Sequence, residues 1–217
     1  KFYTFLVFLF LYAPIAVLIL FSFNSGKSTA VFEGFSLRWY EELFRDAATL
    51  TAFKNSIIIA VVSSIISTIM GTAAATAIFG YKNKLLKSSV MTATNIPMMN
   101  PEIVTGIAMM LLFVFIGGLF GKTGTLGFVT LTIAHVTFEL PYVILNVLPK
   151  LKQTDAHLSE AAQDLGCTPF QAFYKVVLPA IMPGIISGLM MAFTLSIDDF
   201  IISYFVSGTS SQTLPIR

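Results

Sequence analysis

The chain has 217 residues, 56% of them hydrophobic and 11% charged, with a mean hydropathy of +0.84. An ordinary soluble domain carries about a quarter charged residues, so this composition excludes a molecule faced with water on every side. A net charge of +2 lacks the basic footprint of a nucleic-acid binder, and the single cysteine, Cys167, excludes an internal disulfide.

Apolar stretches near twenty residues recur along the chain, the signature of a multi-pass membrane protein rather than of one targeting segment. The first predicted span covers 2–23, with Pro14 tolerated because neighbours or water satisfy the freed backbone group. A polar stretch, 24–54, follows, in which Lys27, Arg38, Arg45 and Lys54 balance Glu33, Glu41, Glu42 and Asp46. Within it, Ser36 to Phe44 reads as an amphipathic helix with Leu37, Tyr40 and Phe44 on one side. Trp39 and Tyr40 suit a membrane–water interface.

The second span covers 55–79. Ser63, Ser67, Gly71 and Ala75 recur there every fourth residue and make a face of small side chains, which reads as helix packing. Lys82, Lys84 and Lys87 then crowd a loop suited to the cytoplasmic side. The third span, 88–120, is interrupted by Pro97 and Pro101 just before Glu102. Such a break is tolerated where a helix borders protein or a watery cavity. The run Gly117 to Thr123 approaches a phosphate loop, but the required first glycine would fall at Ile116 and no strand precedes it; it reads as a glycine-rich turn. The fourth span, 125–148, holds His135, Glu139 and Pro141, and the fifth, 183–206, holds Asp198 and Asp199.

Between the fourth and fifth spans lies a polar loop, 149–182. Thr154 or Asp155 can cap a short helix with Leu158, Ala161, Ala162 and Leu165 on one face, and Gly166 follows where a left-handed residue ends it. Thr168, Pro169 and Gln171 form a capping-box pattern that starts a second helix, carrying Phe170, Phe173 and Val177 and stopping before Pro179.

Each acidic side chain deep in a membrane costs about 2.5–3.5 kcal/mol on insertion scales, so Asp198 and Asp199 need partners, protonation or water. On a continuous helix they point about 100° apart. Asp199 then shares a stripe with Gly188, Ala192, Ser196 and Ser203, and Asp198 one with Met191, Thr194 and Phe205; either face could line a path. Glu139 suits a structural role or the path, and His135 a hydrogen-bonded packing role. Four acids at depth (Glu102, Glu139, Asp198 and Asp199) favour a cationic cargo. No nucleophile–base pair or metal-ligand spacing occurs, so neither catalytic nor metal residues are assigned.

Glu160, Ala161, Ala162, Gly166, Val176, Leu178 and Pro179 stand at the spacing of the EAA loop, and the loop resembles that of ABC-importer permease subunits, with Val176 where the family carries Ile. The resemblance implies an all-α type I ABC-importer transmembrane domain in the bacterial cytoplasmic (inner) membrane, with the EAA loop cytoplasmic and a sixth span after Arg217. It implies a separate ATPase that binds ATP and Mg, so that this chain is not an enzyme and binds no cofactor. Glu160, Ala161, Ala162, Gly166, Leu178 and Pro179 would couple to that ATPase. A second, non-identical permease and an extracytoplasmic substrate-binding protein would complete the machine.

The runs Leu195 to Phe200, Asn100 to Val104, His135 to Pro141 and Phe21 to Ser25 are further similar to the shorter permease subunit of spermidine/putrescine importers. Glu139 departs from that pattern. This likeness implies a polyamine cargo, with Asp198, Asp199, Ser196 and Glu139 as candidates for the substrate path. Another small organic cation or a metal-chelate is the alternative cargo. An ion-coupled secondary transporter would show paired broken helices in repeated halves, and the sequence has no matching second half.

Overall fold

The computed structural model describes residues 1–27, 31–81, 83–121, 124–155, 157–208 and 211–217. Lys82 of the lysine loop, and Lys122 and Thr123 of the glycine-rich turn, lie outside the described residues. The chain divides into two compact units, Lys1–Thr51 and Ala52–Arg217. Among the described residues five helical segments are long and apolar enough to cross a membrane.

The first unit contains α1 (Phe2–Ser22), whose side chains are all exposed or half-exposed, and the amphipathic α2 (Arg38–Arg45). Asn24 organises the loop between them. Its side chain donates to the Val31 carbonyl at 2.8 Å and accepts from the Glu33 amide at 2.8 Å, while its own carbonyl accepts from the Trp39 indole N–H at 2.8 Å. Asn24 is thereby buried with its polar atoms satisfied. Trp39, expected as an interfacial anchor, also ties α2 to the end of α1.

The second unit is built on α3 (Ala47–Gly80) from Ala52 onward, α4 (Lys84–Met99), α5 (Glu102–Leu119), α6 (Phe128–Gln153), α7 (Leu158–Asp164), α8 (Pro169–Ala172), α9 (Leu178–Asp198) and α10 (Ile201–Val206). Helix α6 is its axis. Val143, Ile144, Val147, Leu148 and Leu151 of α6 pack with Ala75 and Ile78 of α3 and with Ile181 and Ala192 of α9. Nearer its start, Leu131 and Ala134 pack with Ile59 of α3 and with Ile202 and Val206 of α10.

Close approach makes this possible. Ser63, Ser67, Gly71 and Ala75 are all buried, and a Cβ at Gly71 would lie 2.6 Å from Cγ1 of Val143. Helix α9 presents a matching stripe, Gly184, Gly188, Ala192 and Ser196, to α6 as well. There a Cβ at Gly184 would meet the Lys150 Cβ at 2.8 Å and the Asn146 carbonyl at 3.1 Å. Without a hydrophobic drive between helices in lipid, such contacts supply the packing energy.

The structure redraws several expected boundaries. The second span begins at Ala47 rather than near 55, because the Asp46 carboxylate accepts from the Ala48 amide at 3.0 Å and caps the helix earlier. The third is two helices, α4 and α5, separated at Asn100–Pro101, since proline disfavours a helical residue before it. The fourth runs on to Gln153, beyond 148. The second loop helix does not stop before Pro179. Helix α8 passes into a π-helical turn, Phe173–Val177, and then directly into α9, with Pro179 in the first turn of α9 and Pro183 inside it. The wider turn accommodates a proline that cannot donate to the preceding carbonyls.

The fifth span is also broken. Helix α9 ends at Asp198, Asp199 is extended (φ −68°, ψ 115°), and α10 begins at Ile201.

These contacts predict a sharp contrast between two helical glycines. Gly71→Ala should cost about 1–3 kcal/mol through overpacking against Val143. Gly118→Ala, whose Cβ meets nothing within 4 Å, should cost nothing. Thermal unfolding of the purified variants in detergent checks both.

Candidate functional site

Helix α6 and the three helices packed on it, α3, α9 and α10, bring seven polar side chains together. On α6, His135 and Glu139 are four residues apart and share a face; both are fully buried. The Glu139 carboxylate accepts the Ser63 hydroxyl on Oε1 at 2.7 Å and the Ser67 hydroxyl on Oε2 at 2.8 Å. The Ser63 and Ser196 hydroxyls lie 3.2 Å apart. Nδ1 of His135 lies 2.7 Å from the Ser196 hydroxyl and Nε2 lies 3.0 Å from that of Ser203. Asp199 accepts the Ile202 amide at 3.2 Å and the Ser203 amide at 2.7 Å, and its Oδ2 stands 3.6 Å from Nε2 of His135.

The local chemistry explains each placement. Ser63 and Ser67 are one helical turn apart, so their hydroxyls match the two oxygens of one carboxylate. Asp199 sits before the first turn of α10 and caps its free N–H groups, as an acidic residue does at a helix start.

The sequence candidates separate accordingly. Ser196, Asp199 and Glu139 meet in this buried cluster, whereas Asp198 is exposed at the last turn of α9. The assignment of the two aspartates to two faces of one continuous helix is corrected by the break between α9 and α10. Asp199 keeps company with Gly188, Ala192, Ser196 and Ser203, all buried, through the break rather than along a helix. Ser63 and Ser67, read from the sequence as a packing face, also carry hydrogen bonds to Glu139. The pairing of a hydroxyl couple at four-residue spacing with a buried acid was the available signal. Glu102 is exposed beside a cavity of about 230 Å³ lined by Asn100, Pro101, Thr105, Phe138, Tyr142 and Ile202.

The loop candidates lie elsewhere. Gly166 adopts φ +89°, the left-handed conformation that glycine takes without a Cβ clash. The Cys167 amide donates to the Ala162 carbonyl at 3.1 Å and the Gly166 amide to that of Gln163 at 2.9 Å, a Schellman ending for α7. Thr168 and Gln171 form the expected capping box. The start of α7 differs from expectation. His157 occupies the cap position, Asp155 accepts its backbone N–H at 2.9 Å, and Thr154 instead ends α6.

The expected apolar face of α7 is also divided: Ala162 is buried, while Ala161 and Leu165 are exposed. Glu160 is exposed and pairs with His157 Nδ1 at 3.1 Å. Leu178 is half-buried and Pro179 exposed.

Residues 67–216 match the family described as the binding-protein-dependent transport system inner membrane component. The chain belongs to that family. It is therefore a multi-pass permease component of the inner membrane. It is 41% identical over 209 residues to the putrescine transport system permease protein PotI of Escherichia coli strain K12, covering 96% of this chain and 74% of the relative. It is 37% identical over 215 residues to the spermidine/putrescine transport system permease protein PotC of Haemophilus influenzae, covering 99% and 81%. Two solved structures share the fold. One is a bacterial alginate ABC transporter in complex with an alginate pentasaccharide-bound periplasmic protein, with a TM-score of 0.74 and 17% identity over 98% of this chain and 76% of that one. The other is a bacterial ABC transporter involved in alginate import, with a TM-score of 0.76 and 16% identity over 98% and 77%.

Two outcomes test this geometry. Ser67→Ala leaves one oxygen of the buried Glu139 without its donor and should cost about 1–3 kcal/mol in thermal or denaturant unfolding. His157 is raised above the ordinary histidine range, first by its hydrogen bond to Glu160 and then by the charges of Glu160 and Asp155. Its pair with Glu160 is therefore made while the ring is charged and lost as pH rises through the raised midpoint. Glu160→Gln should bring the NMR titration midpoint of His157 back down.

Proposed function

We propose that the chain is the permease subunit of an ATP-driven importer that moves polyamines, spermidine or putrescine, delivered by an extracytoplasmic binding protein. The observation that carries this reading is 41% identity, over 96% of the chain, to a putrescine transport permease. Acidic side chains at the α9–α10 break agree with it: exposed Asp198 offers a carboxylate to an ammonium group, with Asp199 buried behind it. Asp198 is assigned to the substrate path. Asp199, Ser196 and Glu139 are assigned to the polar cluster that supports it.

Polyamine import against a gradient needs an energy source, and we assign ATP and Mg to a separate ATPase subunit, with a second, non-identical permease completing the pathway. The docking element is the α7–α8 hairpin. Glu160, Ala161 and Gly166 are exposed on it, and Leu165, Phe170 and Tyr174 present uncovered apolar surface next to them, 87%, 77% and 62% exposed. Large apolar side chains left this open beside a polar loop suit a protein partner.

The route from that hairpin to the substrate end is mechanically short. Helix α8 joins α9 through the π-helical turn at Phe173–Val177, with Leu178 and Pro179 at the junction. Helix α9 then rises about 30 Å to Asp198. Close packing of Gly184 and Gly188 against Asn146, Lys150 and Val143 binds α9 to α6, so the two helices move together when the hairpin tilts. A tilt applied at α7 thus reaches the break at Asp199.

Reconstituted into proteoliposomes with its partner subunits and binding protein, the chain should support ATP-dependent uptake of labelled putrescine or spermidine that ignores ion gradients. Glu160→Ala or Gly166→Val should lower uptake at least tenfold together with substrate-stimulated ATP hydrolysis. Asp198→Asn should lower uptake while ATPase co-purification stays normal. Uptake that ATP does not drive, or that unlabelled polyamines do not compete for, overturns the reading.

A further inference from the structure

The buried cluster has a property that packing alone does not require. Each serine hydroxyl carries one proton, so the direction of every hydrogen bond in the chain is linked to the next. Ser63 gives its proton to Glu139 at 2.7 Å in preference to the Ala60 carbonyl at 3.5 Å. Ser196, 3.2 Å from Ser63, must then donate to it, and so must accept from His135 Nδ1–H at 2.7 Å. With the proton on Nδ1, Nε2 of the neutral ring accepts from Ser203 at 3.0 Å. One ionised Glu139 thus sets the tautomer of a histidine to which it makes no direct hydrogen bond.

With one more proton and a neutral ring, the same contacts admit a second complete arrangement. Glu139, protonated on Oε1, donates to Ser63, Ser63 donates to Ser196, and Ser196 donates to Nδ1. His135 then carries its proton on Nε2 and donates to Ser203. The two arrangements differ by a single added proton. Ser203 takes the added proton and gives its own to Nε2, the Nδ1 proton passes to Ser196, that of Ser196 to Ser63, and that of Ser63 to Glu139. Each step breaks one O–H or N–H bond and forms one, and the proton itself comes from water at the Asp199 end.

Electrostatics give the cluster a reason to hold that proton. Around His135, its own helix brings Glu139 at 3.9 Å and the α9–α10 break brings Asp199 at 3.6 Å. The faces of α3 and α5 packed nearby contribute Ser63, Ser67, Met109 and Phe113, none of them charged. Among the described residues, no lysine or arginine forms an ion pair with either acid. Two buried carboxylates beside a neutral ring carry an uncompensated charge, which is costly at membrane depth.

We propose that Glu139, Ser63, Ser196, His135 and Ser203 form a proton-binding relay that takes up one proton from the Asp199 end and stores it on Glu139. The relay joins α3, α6, α9 and α10 and ends one residue from Asp198. A cation held at Asp198 and the stored proton therefore compete for the same negative field, and the relay makes cation occupancy at that site sensitive to pH. That consequence rests on the importer reading; the relay itself does not.

The test places the assembled importer in lipid bilayers with only this chain labelled with ¹⁵N at histidine. Residues 1–217 hold two histidines, so His157→Gln leaves His135 as their single signal. Between about pH 9 and about pH 5, the range that brackets histidine titration, His135 should change from the Nδ1–H to the Nε2–H neutral tautomer. A protonated-carboxyl stretch should appear in the infrared difference spectrum over the same interval. Glu139→Gln should remove that band and leave the ring in one tautomer throughout. Ser196→Ala, which cuts the link between the ring and Ser63, should abolish the joint change of ring tautomer and carboxyl band.

The relay is overturned by a wild-type protein with no such band, by a band that survives Glu139→Gln, or by a His135 ring that becomes imidazolium while the carboxyl stays ionised. Because the wild-type spectra alone decide the first and third outcomes, a variant that fails to fold does not rescue the proposal. The readout is a proton rather than a transported molecule, so its failure leaves the importer reading standing.

Discussion

A carboxylate buried between helices in a membrane must be matched by donors, and the pairing of Glu139 with Ser63 and Ser67 is the contact on which the rest of the arrangement depends. It fixes the register of α3 against α6. Four and eight residues further along α3, Gly71 and Ala75 can then lie flat on α6, where Val143 leaves no room for a Cβ at Gly71. Continued from Ser63 through Ser196 to His135, the same hydrogen bonds hold the end of α9 to the axis helix.

The break at Asp199 follows from this anchoring. A continuous helix through 183–206 would leave Asp199 with no backbone donors to accept from. By ending α9 at Asp198, the chain frees the Ile202 and Ser203 N–H groups, and the Asp199 carboxylate receives both. One acid is thereby buried and satisfied, and its neighbour is turned outward. Broken helices at membrane depth commonly mark functional positions, because the irregular backbone needs protein or water around it.

At the other end of α9 the constraint is continuity. Under the proposed coupling, the hairpin has to be joined to the span without a flexible linker. The π-helical turn at Phe173–Val177 provides that junction despite Pro179. The hairpin itself is shaped by short-range chemistry: a left-handed Gly166 with its Schellman bonds, and a capping box two residues later. Together these leave Leu165, Phe170 and Tyr174 uncovered while Ala162 and Ala172 are buried.

What the sequence determined by itself is what depends on local forces. Hydropathy and length located the membrane-spanning segments, because an apolar run of about twenty residues crosses lipid as a helix that satisfies its own backbone. Gly166, Thr168, Pro169 and Gln171 announced their turn and cap because those bonds join residues no more than a few positions apart. The seven-position EAA pattern placed the family. Only the tertiary structure decided the rest. The partners of Glu139 stand 76 and 72 residues away on α3, and those of His135 stand 61 and 68 residues away on α9 and α10. No periodicity within one helix carries such pairings. The end of α9 was equally illegible, since Ile197, Asp198, Asp199 and Phe200 contain neither glycine nor proline. There the helix stops because a buried carboxylate takes the backbone donors that a continuing helix would have used.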